Sequence, residues 1–184
     1  LYPGYKPGRI LYEPVEYVVA VDVATAGMLG SLEERYGTMV DLCIDHHPSN
    51  SDYAAQTCLW SEAGACAEPV AAIIKAIGLP VSGRIAECIY TGLATDTGGF
   101  RYSNTSAGSM RLAAEIMESG VDTALLNTRI FESESKAKVL AEAAMMSALQ
   151  FYADDRIAVM PVTLAVRAAT GVTGEELEDV AGIP

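Results

Sequence analysis

Apolar positions fall first in short unbroken runs and later at helical spacing. Val18-Val19-Ala20-Val21 is one run, ending at Asp22. Residues 39–44 form a second, interrupted by Asp41 and ending at Asp45-His46-His47. Runs of this length suit strands buried on both faces of a sheet. Between them, 30–36 has the length and charge of a short helix. Four later segments, 69–77, 85–94, 107–118 and 134–151, read as helices.

Punctuation supports these bounds. Gly78 and Pro80 close the first of the four, and Ser82 is placed to cap the next. Asn104-Thr105-Ser106 offers caps before 107–118, Gly120 closes that helix, and Asp122 is placed to cap a short helix through 127–129. Strands alternating with helices predict an α/β fold, a largely parallel sheet flanked by helices. In such folds ligands gather at the carboxyl ends of the strands. Both apolar runs end there in aspartate.

Near residue 152 the pattern changes. Asp154-Asp155 breaks the long helix, 156–160 reads as a new strand, and 163–169 and 174–180 as short helices. One strand and two helices are too little for a core of their own. The predicted division is a first domain over 1–133, a linking helix over 134–151, and the start of a second α/β domain over 152–184. The Met- and Ala-rich face of the linking helix, with Val139, Leu140, Ala143, Ala144, Met146 and Leu149, is expected to pack between them. Trp60 also reads as a packing residue, with base stacking as the alternative.

Composition narrows the function classes. At 184 residues and 51% hydrophobic, the chain can bury a core without staples. Twelve basic against 24 acidic side chains, a net charge of −12, argue against gripping long duplex nucleic acid or anionic lipid. A small phosphorylated ligand stays open, since a local positive site or a metal suffices for it. No run of 18 apolar residues exists, so no membrane span is expected. The opening 1–9 has no apolar stretch and no initiating Met, and reads as cut from a longer chain. Cys43, Cys58, Cys66 and Cys88 show neither CxxC pairing nor zinc-ligand spacing. Cys43 and Cys88 read as small buried hydrophobes, and a reducing, cytoplasmic setting fits.

His46 and His47 are the chain's two histidines, set behind Asp45 at a strand's carboxyl end. A polar turn would account for them, but the neighbouring strand ending in Asp22 favours a metal site. Imidazole with carboxylate suits Mn, Fe, Co or Zn. A third cluster, Gly92 to Arg101, sets Asp96 before two glycines, with Arg101 five residues on. An ordinary glycine-rich helix end is one account. A metal-bound phosphate site is the other, since glycines permit close approach and arginine forks onto phosphate.

Val21-Asp22, then Ile44-Asp45-His46-His47-Pro48, then Ala94-Thr95-Asp96-Thr97-Gly98-Gly99-Phe100-Arg101-Tyr102-Ser103-Asn104-Thr105 resemble motifs two, three and four of the DHH phosphoesterases. The likeness is to the bacterial branch of oligoribonucleases and phosphoadenosine phosphate phosphatases, with cyclic dinucleotide phosphodiesterases as relatives. Residues 156–184 resemble the opening of the DHHA1 domain that accompanies this branch. The resemblance implies a hydrolase using two Mn2+ ions, with its site in a cleft between domains. Asp22 would bridge the ions, and His46 and Asp96 would be ligands of one of them. His47 would face the substrate phosphate as a catalytic group, Asp45 would orient the histidines, and Arg101 would contact phosphate. Two such ions activate water and steady the attacking and leaving oxygens.

The substrates implied are short oligoribonucleotides, phosphoadenosine phosphate or cyclic dinucleotides. The partners are thus a small nucleotide or short RNA, without long duplex or membrane, and a homodimer is compatible. The family's first motif, a His followed by Asp-x-Asp and Gly-Ser, has no match in 1–21, and its glycine-rich substrate motif is not found before 184. The chain is therefore expected to be a fragment, inactive alone. A manganese pyrophosphatase of the same superfamily is a rival, but 96–100 and 156–160 look unlike that branch. A non-catalytic nucleotide-sensing domain is another, and intact Asp22, His46 and Asp96 speak against it.

Overall fold

The computed structural model describes residues 15–177 and Val180. Residues 1–14, most of the span searched for the first motif, and residues 178, 179 and 181–184, in the stretch read as the opening of a second domain, lie outside the described residues. Three strands, β1 (Val19–Val21), β2 (Leu42–Asp45) and β3 (Gln56–Leu59), form a parallel sheet in the order β1-β2-β3. Val21 pairs with Ile44, and Ile44 with Cys58. The α/β fold with a parallel sheet is the one predicted.

Two details differ from the sequence expectation. Burial on both faces holds for central β2, where Cys43, Ile44 and Asp45 are all buried. On β1, at one edge of the described sheet, only Ala20 is buried, while Val19 and Val21 are exposed. β3 was not expected, because Gln56-Thr57-Cys58-Leu59 has no apolar run to announce it. Asp41, the acid inside the second run, is explained by pairing: its Oδ2 accepts from the Val18 N–H at 2.8 Å, beside β1.

After β1 come a 3-10 segment, Ala26–Leu32, and α1 (Glu33–Tyr36). Beyond β3 follow α2 (Ala67–Ala76), α3 (Gly83–Asp96), α4 (Ala107–Glu118) and α5 (Thr123–Asn127). α4 has the predicted bounds because Ser106 and Ser109 close a reciprocal capping box, with bonds of 3.0 and 3.1 Å. Asp122 Oδ1 accepts from the Leu125 N–H at 2.9 Å, the expected cap of α5. Ser82 stands at the start of α3 without a side-chain cap bond. The buried stripe of α3 is Ala86, Ile89, Tyr90, Leu93 and Ala94. Cys88 lies off that stripe and is exposed, contrary to the expectation of burial.

The chain divides into two compact units between Asn127 and Thr128, earlier than 133. The second unit holds α6 (Lys136–Ser147), an antiparallel hairpin of β4 (Gln150–Tyr152) with β5 (Ile157–Val159), and α7 (Leu164–Thr170). α6 stops short of 151 because 150–152 pairs with 157–159, turning through left-handed Ala153, Asp154 and Asp155. Its buried side chains are Ala141 and Met145, which join Val172 and Val180 in the second unit's core. Val139, Leu140 and Met146 on α6 are exposed. Among the described residues no helix is long and apolar enough to cross a membrane.

Candidate metal centre

Asp22 follows β1 directly, and its N–H donates to the Ile44 carbonyl at 2.9 Å. That bond extends the register by one residue and sets Asp22 beside the carboxyl end of β2. Its φ is +63°, a conformation sparsely populated by non-glycine residues and often found where function outweighs backbone comfort. Asp96 arrives from elsewhere, as the last residue of α3. The backbone then reverses through left-handed Gly98, Gly99 and Phe100. A Cβ at Gly98 would sit 2.4 Å from the Tyr102 ring, so both φ and space demand glycine.

His46 is buried, with Nδ1 3.0 Å from the Ala63 carbonyl oxygen. A carbonyl only accepts, so the neutral ring carries its proton on Nδ1 and presents a lone pair at Nε2. Nε2 lies 3.5 Å from Asp22 Oδ1 and 3.2 Å from Asp96 Oδ2. Both His46 Nε2 and Asp96 Oδ2 are buried without a hydrogen-bond partner. The Nε2 lone pair thus meets a carboxylate oxygen from each aspartate in a partly dry site, and like acceptors repel unless something positive joins them. A proton on Nε2 serves one contact at a time, whereas a divalent cation serves all three. The donor set therefore fits a metal ion.

His47 is held differently. Its Nδ1 lies 2.8 Å from Asp45 Oδ1 and 3.7 Å from Asp22 Oδ1, and its ring sits 4.5 Å from that of His46. Ligand atoms of Asp22, His46 and His47 all fall within 4.8 Å of one another. With Nδ1 engaged by Asp45, the open nitrogen of His47 is Nε2. Asp45 is fully buried, and its Oδ1 also accepts from the His46 N–H at 2.8 Å. Its Oδ2 accepts from Asn50 Nδ2 at 2.6 Å.

These contacts set the local charges. Burial pushes Asp45 up, but the bonds from Asn50, His47 and the backbone outweigh it and hold the carboxyl below its usual range. The bond to Asp45 raises His47 above its ordinary value against the effect of burial, and the charges of Asp45, Asp22 and Asp96 add to the rise. Burial raises Asp96, with the charge of Asp22 adding to the rise and the two histidines opposing it. Cys66 donates to the Ile44 carbonyl at 3.1 Å, and burial pushes its thiol up to about 12, so it supplies no thiolate.

The structure thus brings Asp22, Asp45, His46, His47 and Asp96 together. Arg101, expected to contact phosphate, donates from Nε to the Gly98 carbonyl at 2.6 Å. Trp60 is exposed instead of packed, although its N–H donates to the Asp45 carbonyl. Sequence reading missed Asn50 and the Ala63 carbonyl. Asn50 left a signal, an amide residue in the turn after the histidines; a backbone carbonyl leaves none.

No family model matches the chain. It is 32% identical over 109 residues to the "Bifunctional oligoribonuclease and PAP phosphatase NrnA" of Thermus thermophilus, covering 59% of this chain and 34% of that protein. The protein of the same name from Bacillus subtilis is 25% identical over 134 residues, 71% of this chain and 43% of its own length. The chain spans well under half the length of these curated relatives. A crystal structure of an exopolyphosphatase-related protein from Bacteroides fragilis superposes with a TM-score of 0.83 at 23% identity, covering 91% of this chain and 51% of that one. That likeness is one of fold.

Proposed function

Since the chain belongs to the DHH phosphoesterase superfamily, we propose that it is the metal-holding part of a manganese-dependent phosphoesterase acting on short oligoribonucleotides or phosphoadenosine phosphate. The observation that carries this reading is the buried, unpartnered Nε2 of His46, facing Asp22 and Asp96. Those three residues would hold one ion, and carboxylate oxygens with an imidazole suit Mn2+. Ions held there would activate a water and polarise the phosphoryl oxygens.

The remaining steps belong to this chain's own side chains. Asp45 fixes the His47 ring through Nδ1 and favours its protonated form. His47 Nε2–H is then a donor for a phosphate oxygen of the substrate, and holds it without forming a covalent bond. His46 keeps its Nε2 lone pair available because the Ala63 carbonyl occupies Nδ1. The net charge of −12 keeps long polyanions weakly attracted, which favours small substrates.

The test is hydrolysis by the complete reading frame, with Mn2+ or a chelator, of short oligoribonucleotides, phosphoadenosine phosphate, cyclic dinucleotides and pyrophosphate. Manganese-dependent cleavage of the first two is expected. Pyrophosphate as the preferred substrate, or activity unchanged by chelator, would overturn the reading.

A further inference from the structure

His46 and Asp96 come from distant parts of the chain, yet their facing atoms must keep a gap fit for an ion. The Ala63 carbonyl that orients His46 belongs to the turn 60–64, whose own conformation depends on outside contacts. Gly64 N–H donates to Glu68 Oε1 at 2.9 Å, and the buried Ser109 hydroxyl donates to the same oxygen at 2.7 Å. A Cβ at Gly64 would meet Ser109 Oγ at 2.7 Å and the Asn104 carbonyl at 2.8 Å, so the turn lies hard against the start of α4. The amide of Asn104 closes this arrangement. Its Nδ2 donates to the Gly64 carbonyl at 2.8 Å and to the Asp96 carbonyl at 3.1 Å. One planar group with two hydrogens therefore ties the turn that orients His46 to the helix end that carries Asp96.

We infer that Asn104 is a positioning residue of the metal centre, a clamp that sets the separation of His46 Nε2 and Asp96 Oδ2 without touching metal or substrate. The inference rests on the metal reading above for its purpose, though the clamp itself is a property of the metal-free chain. Outer partners of metal ligands commonly govern affinity by about 10- to 100-fold.

The experiment compares wild type with Asn104→Leu, close in shape but without the amide, and Asn104→Ala. Asn104 is exposed, so neither variant opens the core. Ser119→Ala, which loses the bond from Ser119 to the Ile116 carbonyl, is the control for losing a surface hydrogen bond. Imidazole nitrogen NMR on the metal-free chain reads the His46 tautomer and the exchange of its Nδ1 proton, and Mn2+ titration by calorimetry reads affinity. Both Asn104 variants should speed that exchange about tenfold and weaken Mn2+ by about 10- to 100-fold, with the control unchanged. Exchange and affinity within about twofold of wild type in both variants would overturn the clamp. A wild type that binds no Mn2+ but loses His46 protection in both variants would sink the metal reading and uphold the clamp.

Discussion

The two units of this chain handle buried polarity in opposite ways. In the first, the buried polar side chains among the described residues are Asp45, His46, Thr97 and Ser109; the first two belong to the candidate metal centre and Thr97 follows Asp96. In the second, the described core is Ala141, Met145, Val172 and Val180, flanked by Ala137, Met160, Val166 and Leu177, without a charged group. Its strands β4 and β5 are exposed throughout. Burying unpaired acceptors costs stability, and a fold tolerates it only where something else is gained. The first unit concentrates that cost at one end of one sheet, which is where a ligand would repay it.

Substitutions should expose this contrast. The largest effect is expected in the first unit's apolar interior: Leu93→Ala, at a fully buried site, should cost about 2–5 kcal/mol in urea unfolding. Ile157→Ala on the exposed hairpin should stay within about 0.5 kcal/mol. Equal losses would erase the difference between the units. Next comes Asp45→Ala, which strips the acceptor from Asn50, the His46 N–H and His47, and should cost about 1–3 kcal/mol.

A smaller effect of opposite sign is expected from Asp96→Asn. Removing one of the two carboxylates beside His46 Nε2 should raise the thermal midpoint of the metal-free chain by about 2–4 °C, while abolishing any rise on adding Mn2+. A lower midpoint would mean that the site is an ordinary ion-pair cluster. The smallest effect lies in the second unit. Glu176 accepts from Ser135 Oγ at 2.5 Å and from the Thr173 N–H at 2.8 Å, which holds its carboxyl below the usual 4.5. Because the folded value is depressed, its support is present above that pH and is lost as pH falls through the depressed value. The protection of the Thr173 amide relative to its intrinsic exchange rate should therefore fall on acidification in wild type, and be insensitive to that step in Glu176→Gln.

Much of this was legible in the residues, for reasons that vary from place to place. α4 was bounded correctly because Ser106 and Gly120 act locally. The ends of β1 and β2 were found because apolar runs stop at aspartates that the sheet register then brings side by side. β3 was illegible, since a polar edge strand has no periodic signature. The fate of α6 was illegible for another cause: its apolar residues exceed what the second unit's small core takes up, so composition did not tell which ones are buried. Within the site, side chains at strand ends could be guessed. Contacts through backbone carbonyls, such as Ala63 to His46 and Gly64 to Asn104, depend on turns that only the folded chain defines.

His46, Asp22 and Asp96 are proposed to form a cation site, with His47 serving the substrate. Calorimetric titration of Mn2+ into wild type, His46→Ala and His47→Ala at pH 7.5 separates these roles. One measurable site is expected in the wild-type chain, lost in His46→Ala and changed less than about threefold in His47→Ala, since only the first removes a ligand whose lone pair faces the carboxylates. Equal losses in both variants, or binding that survives His46→Ala, would contradict it.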